Sequence, residues 1–155
     1  LNQNARDIAC ADFPAMMEPL VNYLKSEQLG LIQMPCPELY VLGLGRDRTI
    51  PHVEIREGLE SSAGRARLAG VIEGLIYQIK EYEYQDFQIV GILGKNGSPS
   101  CGVEKTWGGD QVVPGEGAFI NQLRTALDHE EIKIGIKGVT DHRQEESIEW
   151  VKTRL

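Results

Sequence analysis

Two cysteines of the chain lie in rigid loop settings that a simple core cysteine does not need. Cys36 stands between two prolines, and Cys101 lies within NGSPSCGV, residues Asn96–Val103. Proline fixes φ and removes a backbone donor, while neighbouring glycines permit tight turns. Such loops can aim N–H groups at an anion or at the sulfide atoms of a cluster, and thiolates are ligands for soft metals. Ser98 and Ser100 place hydroxyls beside the second thiol, with turn formation as the alternative reason for serines there.

Each of these cysteines follows a stretch that the sequence predicts to be a strand. Leu31–Met34 (LIQM) precedes Cys36, and the near-continuous apolar run Phe87–Leu93 (FQIVGIL) precedes Cys101. In an open parallel sheet, sites form beyond the carboxyl ends of the strands. If the two strands are neighbours, both thiols reach the same edge, as a shared metal site requires. The alternative is two unrelated buried cysteines, because a free cysteine packs like a small hydrophobe.

Around these stretches the pattern alternates between helices and strands. The spacing of apolar residues predicts four helices, which are Glu18–Leu29, Ser62–Tyr84, Glu116–His129 and Asp141–Thr153, the last capped by Thr140 or Asp141. Glu131–Ile136 alternates like a strand, whereas Tyr40–Arg56 is predicted to be loop or extended. The expected fold is α/β, a single domain with a parallel sheet flanked by helices. Because three strands are few for such a sheet, we expect a first strand to be missing before Leu1.

Composition limits the classes of function. The chain has 155 residues, which suits one domain, and its net charge of -7 opposes binding to a nucleic acid polymer. No apolar run approaches the roughly 20 residues of a membrane helix, so we expect no membrane partner. The cysteines, Cys10, Cys36 and Cys101, are odd in number and widely spaced, and they form no CxxC pair. This pattern favours a reducing, cytoplasmic setting over a disulfide scaffold.

Three sequence blocks resemble the 2-thiouracil desulfidase superfamily. They are LNQNAR at Leu1–Arg6, QMPCPE at Gln33–Glu38 and GSPSCG at Gly97–Gly102, and the resemblance extends through about Val139. It is closest to a branch that carries all three blocks. The resemblance implies a four-iron four-sulfur cluster held by three cysteines, with one iron open to the sulfur of a thiolated pyrimidine. The products would be the oxo compound and sulfide.

The resemblance also implies roles for individual residues. Cys36 and Cys101 match two of the three ligand positions. Ser98, three residues before the last ligand, is expected to contact or activate the substrate or water, and Glu38 is the acid near the middle ligand. In the family, the first ligand precedes the LNQNA-like block. Either Cys10 takes its place, or the ligand lies before the first residue of this chain.

Further polar residues are expected to contact the substrate. Asn4 lies in a run of three amides that can read a base or hold a loop, and Ser100 adds a hydroxyl. Arg46 is predicted to orient a carboxylate or carbonyl, with a surface salt bridge as the alternative. The sequence thus predicts an iron–sulfur-dependent desulfidase-like enzyme for a small thiolated heterocycle. The alternative is a non-catalytic metal- or small-ligand-binding module that retains the same fold.

Overall fold

The computed structural model describes residues 16–43 and 52–155 of the chain. Six helices and four strands occur in these ranges. In chain order they are α1 (Glu18–Ser26), α2 (Pro37–Leu42), α3 (His52–Glu60), α4 (Ser62–Tyr84), β1 (Ile92–Lys95), β2 (Lys105–Gly108), β3 (Gln111–Pro114), α5 (Ala118–His129), β4 (Ile136–Val139) and α6 (Gln144–Lys152). The mixture of helices with a small parallel sheet confirms the predicted α/β class.

The strands form two pairs. β1 and β4 run parallel, with Ile92 opposite Ile136 and Lys95 opposite Val139. β2 and β3 form an antiparallel hairpin whose turn contains Gly109 at a φ of 68°. The hairpin and α5 lie between β1 and β4 in the chain. The parallel pair therefore joins two strands that are far apart in sequence.

The longest helix, α4, is continuous, as its apolar spacing predicts. Ser61 caps its beginning, because its side chain accepts a hydrogen bond from the backbone N–H of Gly64 at 3.0 Å. The larger core packs α4 against α3, α5 and β1, and its fully buried members include Leu59, Leu68 and Leu123. A smaller core joins α1 to β4 and α6; it comprises Met17, Leu20, Leu24, Val139 and Val151.

The segment before Cys36 is a correction to the sequence-based prediction. Residues 31–34 form no strand, and Leu31 and Ile32 are 58% and 52% exposed. A short apolar run has the sequence pattern of a strand, but that pattern does not show whether a neighbouring strand is present to pair with it. The prediction of loop or extended chain over Tyr40–Arg56 is also wrong in part, because the end of α2 and the beginning of α3 lie at the two ends of that range.

Strand and helix boundaries shift elsewhere in the described residues. β1 begins at Ile92 instead of Phe87, whose side chain is 59% exposed, and β4 begins at Ile136, where the sequence pattern had ended its strand. The mutual pairing of β1 and β4 sets these limits, which apolar alternation does not encode. The final helix begins at Gln144, three residues later than predicted, and Asp141 before it pairs with Lys95 (Oδ2–Nζ 2.5 Å).

In the part of the chain that the structure describes, no helix is both long and apolar enough to cross a membrane. Even α4, the longest, carries polar and charged residues along its length.

Candidate functional site

Asn96 organises the cysteine loop, which we define as residues 96–105. Its Oδ1 accepts hydrogen bonds from the backbone N–H groups of Val103, Glu104 and Lys105 at 3.4, 3.1 and 3.3 Å. Its Nδ2 donates to Oε2 of Glu104 at 2.6 Å. One side-chain oxygen therefore gathers three consecutive N–H groups and closes the loop behind its cysteine.

Glu104 ties the same loop to β4. Its Oε1 accepts from the N–H of Gly138 at 3.2 Å and pairs with Nζ of Lys137 at 3.0 Å. Burial alone would raise the pKa of the Glu104 carboxyl, but hydrogen bonds from Asn96, Lys137 and Gly138 lower it below its ordinary value. A Cβ at Gly138 would collide with the side chains of Asn96 and Glu104. We call these contacts of Asn96 and Glu104 the clamp. The sequence analysis did not predict the clamp, although an Asn-Gly pair after a strand is a turn signal.

The Ser98 hydroxyl makes all of its hydrogen bonds inside the loop. Its Oγ accepts the backbone N–H of Cys101 at 2.9 Å and of Ser100 at 3.2 Å. It also lies 3.0 Å from Oγ of Ser100. When Glu38 is a carboxylate it only accepts, so Ser100 donates its single proton there and Ser98 must donate to Ser100. One proton and two lone pairs of Ser98 are then all engaged.

Two glycines let the backbone pack tightly around Ser100 and Cys101. A Cβ at Gly117 would lie well inside van der Waals contact of the Ser100 carbonyl oxygen, and one at Gly102 would do the same to the Lys105 carbonyl. The Ser100 carbonyl accepts from the N–H of Phe119 at 3.0 Å, in the first turn of α5. The loop is thus held at one end by Asn96 and at the other by the beginning of α5.

Cys36 approaches this loop from α2. It is the N-cap residue of that helix, with φ −74° and ψ 114°, and Pro37 follows in the first turn. Glu38 is buried at 8% exposure, and its Oε1 accepts a hydrogen bond from Oγ of Ser100 at 2.7 Å. Ser100 itself is 2% exposed. This buried hydrogen bond joins the two cysteine-bearing segments, which the sequence would have brought together only if the strands before them were neighbours.

The Cys101 thiol is poorly ionised in the metal-free chain. Part of the residue is accessible, but burial of the thiol raises its pKa to about 11. Negative charge on Glu38 and Cys36 contributes to the rise, while the Ser100 hydroxyl, 3.6 Å from the sulfur, opposes it. Reactive nucleophilic cysteines have lowered pKa values, so Cys101 is unsuited to nucleophilic attack at neutral pH. A bound metal would displace its proton.

The predicted site residues fall into two groups. The structure brings Ser98, Ser100 and Glu38 into one hydrogen-bonded chain, with Cys101 beside it and Cys36 on the adjoining segment. Cys10, Asn4 and Arg46 lie outside the described residues, so their predicted roles stay predictions. Within residues 16–43 and 52–155, no three His, Cys, Asp or Glu side chains are grouped so that they could hold a metal ion.

Comparison with known proteins gives one distant relative. The uncharacterized protein MJ0003 of Methanocaldococcus jannaschii is 26% identical over 108 residues, which is 70% of this chain and 65% of that protein. The match therefore spans less than two thirds of the relative's length. No family model matches the chain, and no solved structure matches it.

Proposed function

We propose that the protein is an iron–sulfur-cluster-dependent, desulfidase-like enzyme that removes sulfur from a small thiolated heterocycle such as 2-thiouracil and releases sulfide. The observation that carries the proposal is the buried hydrogen bond between Ser100 and Glu38, 2.7 Å long. It joins the two segments that bear Cys36 and Cys101. The bond also connects the Glu38 carboxylate, through Ser100, to the Ser98 hydroxyl, and the resemblance to desulfidases implies roles for Glu38 and Ser98.

The ligands of the proposed site are of the chemical type that binds an iron–sulfur cluster. Cys36 and Cys101 supply soft thiolates from adjoining segments, and such ligands suit iron–sulfur clusters. The described residues supply two of the three thiolates, so the proposal needs a third from Cys10 or from a residue that precedes this chain. When bound, a cluster with one open iron supplies a Lewis acid for a thiocarbonyl sulfur.

In this proposal, the hydrogen-bonded chain of Ser98, Ser100 and Glu38 transfers a proton from the Ser98 hydroxyl towards the Glu38 carboxylate. Glu38 accepts from Ser100, and Ser100 accepts from Ser98, so a proton that leaves the Ser98 hydroxyl has a path to a carboxylate. General base help of this kind favours addition of water at the carbon that bears sulfur. Turnover requires Ser98 to exchange one of its backbone hydrogen bonds for a bond to substrate or water.

Anaerobic reconstitution with iron and sulfide tests the proposal. We expect a brown protein with about four irons per chain, and release of sulfide from 2-thiouracil. Cys36→Ser and Cys101→Ser should each lose most of the bound iron. Ser98→Ala should lose turnover, whereas Ser26→Ala, at an exposed serine on α1, should behave as wild type. A colourless protein that releases no sulfide, although it contains all three thiolate ligands in reduced form, would falsify the proposal.

The second candidate is a non-catalytic metal- or small-ligand-binding module. The full use of the Ser98 hydroxyl inside the loop favours it, since no proton or lone pair of that group is left for substrate when Glu38 is ionised. The same reconstitution separates the two candidates. Stable iron or zinc binding through Cys36 and Cys101, with no sulfide released from any thiolated pyrimidine, would assign this role.

A further inference from the structure

An open surface groove lies beside the segment that precedes Cys36. It has a volume of about 530 Å³ and runs between residues 32–35, Tyr40 and one face of α4. Pockets for small ligands have volumes of roughly 300–1,000 Å³. Pro35 lines the groove and directly precedes Cys36.

The floor of the groove is exposed helix backbone. Gly70 and Gly74 lie one turn apart on α4, and a Cβ at either position would have nothing within 4 Å. A flat molecule can therefore approach the helix more closely there than at any position with a side chain. The Tyr40 ring, 52% exposed, forms a wall on which a planar ring can stack.

Arg67 supplies the charge of this lining. It lies one turn before Gly70 and Val71 on the same face of α4, and its Nη1 donates to the carbonyl of Val41 at 3.2 Å. That bond fixes the guanidinium at the rim, and a guanidinium has further N–H donors. In a chain of net charge -7, a cation beside an apolar groove selects anions locally. Gln78 adds an amide that can pair with ring nitrogens and carbonyls.

We propose that this groove binds a small planar anion, a heterocyclic or aromatic ring that carries a carboxylate or phosphate. The ring stacks on Tyr40 over the glycine floor, and the acidic group pairs with Arg67. This site needs neither thiolate nor metal, so it stands apart from the desulfidase proposal and is testable in the protein as purified.

Titration of ¹⁵N-labelled protein with orotate, a pyrimidine carboxylate, tests the site. We expect saturable shifts at the backbone amides of Gly70 and Gly74, and binding at least tenfold tighter than for uracil, which lacks the charge. Uridine 5′-monophosphate should shift the same amides. The tighter of the two charged probes identifies the natural acidic group as carboxylate or phosphate, and either result supports the proposal.

Three variants make the test specific. Gly74→Leu fills the groove while adding a better helix former, so its melting temperature should be unchanged or higher and its orotate binding lost. Arg67→Gln should abolish the preference for orotate over uracil. Ala69→Leu, at an exposed position of α4 outside the lining, adds similar bulk and should bind as wild type.

Three results would overturn the proposal. One is the absence of saturable shifts with both orotate and uridine 5′-monophosphate. Another is wild-type binding by Gly74→Leu. The third is inorganic phosphate binding as tightly as either charged ring, because the ring would then contribute nothing.

Discussion

The two cysteine-bearing segments are built in opposite ways. The cysteine loop, residues 96–105, is held from within by Asn96 and Ser98 and from outside by β4 and the beginning of α5. The segment before Cys36 forms no strand, and it exposes Leu31 and Ile32. It is positioned where Met34 packs against the larger core, where α2 begins and where Glu38 meets Ser100. One thiol is therefore fixed by many local bonds, and the other by docking at a few points.

This difference predicts unequal sensitivity to substitution. Changes inside the cysteine loop should cost much stability, because several bonds share the same atoms. Changes at the exposed residues Leu31 and Ile32 of the segment before Cys36 should cost little, whereas changes at Met34 and Glu38 should cost more.

The largest effect is expected for Gly117→Ala. The new methyl would collide with the Ser100 carbonyl, which itself accepts bonds from α5. We expect the free energy of unfolding to fall by roughly 3 kcal/mol, in the range for backbone strain at a packed site. Urea denaturation measures this. Gly30→Ala, where nothing lies within 4 Å, is the control and should change stability by less than about 1 kcal/mol. Equal costs at the two glycines would contradict the tight packing of the loop.

Ser100→Ala should have the next largest effect, because it removes the bond that joins the two segments. A hydrogen bond to a buried charged group contributes about 1.5–3 kcal/mol, and we expect a loss in that range. Ser26→Ala, at an exposed serine, should change stability by less than about 0.5 kcal/mol. Native-state alkylation adds a second readout. Cys36 should react faster in Ser100→Ala than in wild type, and an unchanged rate would mean that other contacts position it.

The Cys101 thiol predicts a dependence of stability on pH. Its folded pKa of about 11 lies above that of an unfolded cysteine, near 8.5, so the folded state holds the proton more tightly. This contribution is fully present below about pH 8.5 and is lost as pH rises towards 11. Metal-free wild type should therefore lose stability between these values more steeply than Cys101→Ser, in matched urea titrations. Parallel pH profiles would show that the thiol is not buried as described.

The smallest effect is expected at Leu31. This side chain is 58% exposed, so Leu31→Gln should change the free energy of unfolding by less than about 0.5 kcal/mol. Met34, three residues on, packs against the larger core, and Met34→Gln should cost clearly more in the same urea titration. A large cost at Leu31 would indicate that this part of the segment is held by contacts, as the cysteine loop is.

The sequence predicted the helices better than the strands, for a physical reason. The apolar spacing of α4 and α5 is long enough to define a helix by itself. β1 and β4 are four residues each, and their limits depend on the partner strand. The meeting of the Cys36 and Cys101 segments was predicted through a strand end, whereas a helix start and a buried serine–glutamate bond produce it. The attachment of Glu104 to Lys137 and Gly138 was missed, since those residues are far from Glu104 in the chain.

The parallel pairing of β1 with β4 has a consequence for the time course of folding. The hairpin forms from neighbouring residues, but closing the parallel pair must offset the loop entropy of everything between the two strands. The cysteine loop is anchored to Lys137 and Gly138, which lie in β4. Its final geometry is therefore reached late, after β4 has been synthesised and has paired. A nascent chain that has not reached this point carries Cys101 in a loop without its anchor.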